Sequence, residues 1–339
     1  MIDFLSIETE ELNTGQQLIQ SEIKRHGWKA EVPYVGCPNI FITNNDKTIH
    51  IFSTTPSTTT YATGHIANNK YATHCLLESR GVEQLPTILV KDKEKSDSRV
   101  IEFLKESEKV VVKPLDGGHG KGITVGVSNT DALNTALNVA IENAKNIRAA
   151  IVQKQYDHPE ILDIRTATIN YEFVGAIHRV PARVKGDGIH SVAELIEIEN
   201  NSGRRGEPYR APLAYINLAA ATTYLGSDIS KIPELNEEVF VLGVANYGAG
   251  GEIIDITDDI PEWMRELAVV ASKSIELPVC GVDFMVCTRP TKTATIDDLQ
   301  PVIVELNKCP SLAIHDKPSS GEPRNATQKY VEYLATLLS

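Results

Sequence analysis

The chain lacks any stretch approaching the ~20 consecutive apolar residues that a membrane span needs. Its strongest apolar runs, 110–112 and 302–304, are only of strand length. It opens without the charged-then-apolar pattern of a secretory leader, so a soluble protein of the cytoplasm is expected, with no membrane partner. A basic excess is also lacking: 33 Lys and Arg stand against 45 Asp and Glu, a formal net charge of -12. That balance argues against nucleic acid as the main partner, because a phosphate backbone wants a basic surface. The five cysteines, at 37, 75, 280, 287 and 309, show no C-x-x-C spacing and no nearby histidine pattern. Neither a zinc site nor a disulfide framework is indicated. No internal repeat is visible.

What is present begins with Val110 to Val127, VVVKPLDGGHGKGITVGV. A β-branched run delivers Lys113 to a loop holding Gly117, Gly118, Gly120 and Gly122, after which the β pattern resumes. Glycines let a backbone approach a ligand closely and aim several N–H groups at one anion, while Lys113 and Lys121 add point charges. The P-loop and dinucleotide fingerprints both run from strand to helix. Here a strand follows, so the segment reads as a glycine-tipped hairpin over a polyphosphate, with a plain turn as the bland alternative.

A length of 339 residues with 42% hydrophobic residues allows two or three domains with real cores. Residues 1–65 read as a small α/β unit: a helix over 10–26 stopped by Gly27, two short strands near 40–43 and 48–52, then a Ser/Thr-rich linker over 53–63. Residues 66–150 read as a lid lobe, with a helix capped at Asn68 or Asn69, a strand from Pro86, the hairpin, and a helix capped at Thr130. Residues 151–339 form the largest unit. It opens on a strand over 151–155, continues through a hairpin near 166–179 and a capping box at Ser191 to Glu194, and ends in a helix burying Tyr330, Leu334 and Leu337.

Glu305 and Asn307 are two apart on the last strand and therefore share a face. Asp283 lies in the preceding strand, which a hairpin would set beside them. Two carboxylates and a carboxamide offer only oxygen donors, which suits Mg²⁺ held partly by phosphates. Taken alone, the pair reads more simply as a strand end facing solvent.

Together, VVKPLDGGHGKG at 111–122, RVPARVKGDGIHSVAELIEIEN at 179–200, GVDFMV at 281–286, and VELNKCPSLAIH at 304–315 with SGEPRNA at 320–326 resemble the ATP-grasp superfamily of carboxylate-amine ligases. Within it the motifs are most similar to the ATP-grasp domain of cyanophycin synthetases and bifunctional glutathione synthetases, over about residues 66–339. The resemblance implies an α+β ATP-grasp fold in three subdomains, the C-terminal lobe built on an antiparallel sheet, with ATP and Mg²⁺ (Mn²⁺ as the substitute) as cofactors. It implies that Lys70, Lys113, Gly117, Gly118, Gly120, Lys121, Gly122, Gln153, Lys154 and Gln155 meet the nucleotide. It places Asp283, Glu305 and Asn307 on the metal, and Arg165, Arg179 and Asn307 at the transferred phosphate and acyl group. The implied activity is ATP-dependent amide or peptide bond formation through an acyl phosphate, from small acid and amine substrates such as amino acids or short peptides. A homodimer is left open.

The chain departs from those relatives at several positions. Gln153 replaces a hinge glutamate. Leu242-Gly243 replace a basic pair and Gly248-Ala249 two hydroxyl residues, which would move the duty of the lost cation to Arg183 or Arg210. Pro310-Ser311 replaces Pro-Gly, so the acceptor pocket is expected to differ. Relative to cyanophycin synthetases the short N-terminal unit speaks against two-step polymer synthesis and for a stand-alone ligase. Arg204, Arg205, Arg210 and Arg324 hint at an acidic substrate, and His119 and His315 are secondary contact candidates. Ser311 and Cys309 are poor nucleophile candidates, since this chemistry requires no protein nucleophile. The missing basic pair motivates a second reading, an ATP-binding homologue with impaired catalysis that serves as a regulatory or assembly partner. A kinase or carboxylase on the same scaffold is a third.

Overall fold

The computed structural model describes residues 1–339 except His119, Pro208, Tyr209, Arg210, Pro212, Val244 and Asn246. The N-terminal part is a five-stranded sheet, β1 (Ile2–Asp3), β2 (Lys29–Val32), β3 (Asn39–Asn44), β4 (Lys47–Phe52) and β5 (Thr55–Pro56), with α1 (Thr14–His26) across it. Asn13 and Gln16 cap α1 reciprocally, and Gly27 ends it at φ 68°, a conformation that favours glycine. The segment expected to be a linker is built in. Thr54 donates its hydroxyl to the Pro310 carbonyl at 2.6 Å and Thr55 to that of Lys308 at 2.9 Å. After it come α2 (Tyr61–Asn68) and α3 (Lys70–Ser79), the latter capped by Asn69.

The middle of the chain folds as β6 (Thr87–Lys91), α4 (Ser98–Ser107), β7 (Val110–Pro114), β8 (Thr124–Val127), α5 (Thr130–Asn143) and β9 (Ala149–Lys154), in a sheet of order β6-β9-β7-β8. The glycine-tipped hairpin is β7–β8. β9 pairs with both β6 and β7, so the strand expected to open the C-terminal unit belongs to the central sheet. Its Val152 packs with Val112, Leu133 and Leu137 in the core under α4 and α5.

The remainder adds β10 (Leu162–Ile169), β11 (Glu172–Val180), β12 (Arg183–Lys185), α6 (Val192–Asn200), β13 (Arg205–Gly206), β14 (Leu213–Ala214), α7 (Leu218–Leu225), β15 (Glu238–Phe240), β16 (Glu252–Asp255), α8 (Glu262–Ser274), β17 (Val279–Val286), α9 (Ile296–Leu299), β18 (Val302–Asn307), α10 (Ala313–Asp316) and α11 (Ala326–Leu338). Its main sheet runs β16-β11-β10-β17-β18, every pair antiparallel. α8 lies on the face carrying Phe284, Val282 and Ile164. Residues 182–249 between β11 and β16 fold around a small core of their own, with Ile196, Val241 and Leu242 at its centre.

The closing helix does more than end the last unit. Tyr330, Leu334 and Leu338 of α11 share one core with Phe4, Leu12, Ile23 and Ile42 of the N-terminal sheet and with Ile169 of β10. Replacing fully buried Leu334 by alanine should cost ~2–5 kcal/mol, the transfer term plus a cavity. Thermal melts check the loss, and hydrogen exchange should show β3 and β4 losing protection with α11; unchanged protection there would refute the shared core.

Candidate functional site

Register assembles the charged cluster. β10 sets Arg165 opposite Asp283, β18 sets Glu305 opposite Asp283 and Asn307 opposite Gly281, and β11 sets Arg179 opposite Asp163. Alternation then puts Asp163, Arg165, Arg179, Asp283, Glu305 and Asn307 on one face of the sheet. The other face is apolar and carries α8. Gly281 makes room at the centre: a Cβ there would lie 3.2 Å from the Arg165 stem and 3.5 Å from that of Asn307.

The bonds within the cluster are charge-assisted. Arg165 holds Asp283 through Nε and through Nη2, the latter at 2.7 Å. Arg179 Nη2 donates to Asp163 at 2.6 Å and to Asp283 at 3.0 Å. Burial pushes the Asp283 carboxyl up, but the two guanidinium groups outweigh it and hold it below the usual carboxylate range. Burial pushes the Asp163 carboxyl up to about 6 against the pull of Arg179, with the Asp283 charge adding to the rise. Asp163 was not singled out by sequence; its position two before Arg165 on one strand was the available signal. Among the described residues, Asn307 Nδ2 is buried without a partner and Glu305 has only the Lys70 ammonium at 3.6 Å. The donors are all oxygen, which fits a hard divalent ion at Glu305 and Asn307 beside Asp283. Among the described residues no group of three or more His, Cys, Asp or Glu could hold an ion. Such an ion must therefore draw further oxygens from its ligand.

Facing the cluster is a cleft lined by Lys70, His74, Ile151, Gln153 and Glu305. Lys70 Nζ also donates to the Gly117 carbonyl at 3.3 Å, tying α3 to the hairpin loop. Lys113 Nζ donates to Gln153 Oε1 at 2.8 Å, and Gln153 Nε2 donates to Thr87 Oγ1 at 3.0 Å. Burial pushes the Lys113 ammonium down to about 8, the Lys70 charge adding to the fall and Glu305 opposing it. A neutral amide at 153 gives Lys113 no counter-charge there. In the loop, Gly117, Gly120 and Gly122 have φ of 135°, 71° and 73°. Gly118 and Lys121 are exposed, with a turn bond from Lys121 N–H to the Gly118 carbonyl at 3.4 Å. Asp116, which sequence did not flag, is buried and accepts the N–H groups of Lys145 and Asn146, anchoring the base of the loop.

Several sequence expectations are corrected. Lys154 pairs with Val110 and by alternation lies on the face opposite Lys113 and Gln153, so its side chain does not join theirs in the cleft. Gln155 accepts the Gly126 N–H at 2.8 Å, bracing β8. Arg204 is spent on Glu199; Arg205 is buried, donating to Glu199 and to the carbonyls of Ala214 and Gly250. Arg324 is held by Asp255 and Asp258, and Arg183 by Glu252 and Glu238. None of these four offers an unpaired cation to a substrate carboxylate or stands in for the missing basic pair. Leu242 itself is buried in the 182–249 core, and a Cβ on Gly243 would stand 2.8 Å from the Tyr224 ring. These positions have been given over to packing. His315 is fully buried with both ring nitrogens unpartnered, and burial with Arg165 nearby pushes it down to about 3. It is a neutral core residue. His119 and Arg210 lie outside the described residues.

Residues 81–191 match the family model of the prokaryotic glutathione synthetase ATP-grasp domain. The chain belongs to the ATP-grasp superfamily. It is 36% identical over 232 residues to a cyanophycin synthetase of Crocosphaera subtropica, covering 66% of this chain and 26% of the relative. It is 30% identical over 281 residues to the glutathione biosynthesis bifunctional protein GshAB of Pasteurella multocida, covering 81% of this chain and 36% of that protein. The crystal structure of a bifunctional glutathione synthetase from Pasteurella multocida superposes with a TM-score of 0.69 at 25% identity, covering 99% of this chain and 44% of the other. The matches thus span about a quarter to under half of these longer proteins. The α+β ATP-grasp fold is the observed one, and no helix among the described residues is long and apolar enough to cross a membrane.

For this ATP-grasp chain the Lys113 value gives a pH signature. Lys113 is charged below about pH 8, and only the charged form attracts a polyphosphate. ATP affinity should be flat at acidic to neutral pH and fall as pH rises through 8, by up to about tenfold per unit, one proton being taken up on binding. Gln153→Glu supplies a counter-charge, raises the Lys113 pKa and should move the fall to higher pH. Titration calorimetry across pH 6.5–9.5 tests both; an unmoved midpoint in the variant would refute the account.

Proposed function

We propose that this ATP-grasp protein is a carboxylate-amine ligase that forms an amide or peptide bond through an acyl phosphate, converting ATP to ADP and phosphate. The observation that carries the reading is the sheet face on which Asp283, Glu305 and Asn307 stand with Arg165 and Arg179, Glu305 lining a cleft with Lys70 and Gln153, and Lys113 bonded to Gln153 behind them. Anionic donors for a cation, cations for phosphate and buried guanidinium groups for developing charge are the parts that phosphoryl transfer asks for.

In this proposal the glycine hairpin closes over the triphosphate while Lys70 and Lys113 hold its oxygens. Glu305 and Asn307, with Asp283 beside them, would hold Mg²⁺ or Mn²⁺, which when bound neutralises phosphate charge. A carboxylate oxygen of the acid substrate attacks the γ-phosphorus, and the bond to ADP breaks. The nitrogen of a neutral amine then attacks the acyl carbon; the C–N bond forms, the C–O bond to phosphate breaks, and the amine proton passes to the departing phosphate. Arg165 and Arg179 stand nearest the charge that would gather at the acyl phosphate; they are paired to Asp283 and Asp163 in the free protein and would yield part of that pairing to the substrate. No protein nucleophile is needed. Nucleotide contacts at Gly117, Gly118, Gly120, Lys121 and Gly122, through backbone N–H groups and one ammonium, belong to the same proposal, as does the division into units near 1–65, 66–150 and 151–339 once its second boundary is moved past β9.

The rival reading, a nucleotide-binding partner without catalysis, drew on the missing basic pair. Retention of the complete oxygen donor set with its two arginines speaks against it, since binding a regulatory nucleotide does not require them.

Phosphate release should require Mg²⁺, one acid and one amine together, across a panel of amino acids and dipeptides, with mass spectrometry naming the product. Glu305→Ala should lower the rate by at least about a hundredfold, in the range for removal of one charge-stabilising group, and leave the fold intact by circular dichroism. ATP binding without turnover on any acid-amine pair would favour the rival.

A further inference from the structure

The chain crosses from the central sheet to the C-terminal sheet at residues 155–161, between β9 and β10. β9 carries Gln153, bonded to Lys113, and β18 carries Glu305 and Asn307, yet the two strands belong to different sheets and share no ladder. Tyr156 spans that gap. It is a buried tyrosine whose hydroxyl donates to the Gln300 carbonyl at 2.8 Å, with the Leu299 carbonyl at 3.5 Å. Burial, with the Cys287 thiol beside it, pushes the phenol up, so it stays protonated and a donor. The His158 ring packs on the tyrosine ring, 4.3 Å between centroids, and helps to fix its direction. Among the described residues, no other side chain of 149–161 hydrogen-bonds to the C-terminal lobe.

The acceptors explain why the bond forms. α9 is a single turn, and the carbonyls at its end have no donor within the helix. The Cys287 N–H donates to the Leu299 carbonyl at 3.0 Å, the Cys287 thiol to that of Asp298 at 3.2 Å, and Tyr156 to that of Gln300. Gln300 is left-handed at φ 43°, Pro301 follows it, and β18 begins at Val302, so these bonds fix the root of the strand bearing Glu305 and Asn307. Cys287 directly follows β17, the strand bearing Asp283. Both strands that carry the oxygen donors are thus tied at one point.

The other direction leads to the glycine hairpin. Gln155, next to Tyr156, accepts the Gly126 N–H of β8 at 2.8 Å, and its own N–H donates at 3.0 Å to the carbonyl of Lys109, the residue before β7. Both strands of the hairpin therefore bear on residue 155, and the root of β18 bears on residue 156. One planar, stiff peptide unit joins the two. Lys70 also spans Gly117 and Glu305, but in the proposed function its ammonium goes to phosphate, which leaves Tyr156 as the link that persists.

We propose that Tyr156 is a positioning residue that couples the glycine hairpin to the metal-ligand strand, so that closure over the nucleotide and the placing of Glu305 and Asn307 occur together. A divalent ion is then held in full only when a nucleotide is present to supply its remaining oxygens. The duty of Glu305 and Asn307 rests on the ligase reading. The coupling rests on the bonds through residues 155 and 156.

The test separates the two. Wild-type protein and Tyr156→Phe, which keeps the buried ring and removes only the hydroxyl, are titrated by calorimetry with ATP in EDTA and with ATP and Mg²⁺, and amide exchange is followed in the same states. In the wild type, ATP in EDTA should slow exchange in β8 and in 302–307 together, and Mg²⁺ should tighten ATP binding. In Tyr156→Phe, β8 should still respond and 302–307 should not. Its affinity for ATP in EDTA should be unchanged, while the tightening by Mg²⁺ should fall by about two- to tenfold, the size of one net hydrogen bond. A response of β8 without 302–307 in the wild type, an unaltered response of 302–307 in the variant, or an equal loss of affinity with and without Mg²⁺ would overturn the inference. If Mg²⁺ adds nothing in the wild type, yet 302–307 responds to ATP and the variant loses that response, the coupling stands and the metal duty of Glu305 and Asn307 is what fails.

Discussion

Asp283 is a carboxylate with almost no exposed surface, held in the middle of a sheet by two guanidinium groups, one from the adjacent β10 and one from β11 beyond it. Burying one charge alone would cost several kcal/mol, and removing one partner from such a set typically costs about 3–5 kcal/mol, against a total folding free energy of ~5–15 kcal/mol. The trio therefore fixes the β10, β11 and β17 register. A one-residue slip would send Asp283 into the apolar face under α8 and Phe284 into the charged one. With that register come the placement of Glu305 and Asn307, the need for glycine at 281, and the raised Asp163 carboxyl. What positions the site also specifies the lobe.

Across the cleft the electrostatics are of another kind. A protein of net charge -12 keeps Lys70 and Lys113 close to Glu305, at the site proposed for phosphate, and pairs many of its other cations off. Lys113 is left with an amide partner and Lys70 with a 3.6 Å contact to Glu305. Neither is fully neutralised in the free protein. An anionic ligand would therefore meet cations that are largely desolvated already and whose partners are weak, so little has to be broken before it binds.

Much of this was legible in the sequence because local rules sufficed. The glycine hairpin, the Gly27 stop, the Ser191 capping box and the common face of Glu305 and Asn307 all follow from spacing. The failures come from tertiary context. Lys154 was placed by motif, whereas the pairing of β9 decides which face it occupies. The Ser/Thr-rich segment carries no apolar period, yet its hydroxyls find carbonyls over 250 residues away, at Lys308 and Pro310. The arginines at 183, 204, 205 and 324 look free in one dimension because their acidic partners lie on other elements or a helix turn away. Asn129 rather than Thr130 caps α5, a one-residue choice between two competent side chains. The 182–249 core and its claim on Leu242 had no periodic signal strong enough to announce it.

The core shared by the first sheet and the last helix sets an order of events during synthesis. Residues 1–56 can form their strands and α1 as they leave the ribosome, but the core of Phe4, Leu12 and Ile42 lacks part of its cover until Tyr330 and Leu334 emerge some 270 residues later. At ~5–20 residues per second that is on the order of 15–60 seconds of waiting, long compared with hydrophobic collapse. The nascent chain thus carries part of that apolar core without its final cover while the intervening residues are made, a surface of the kind a holdase chaperone binds.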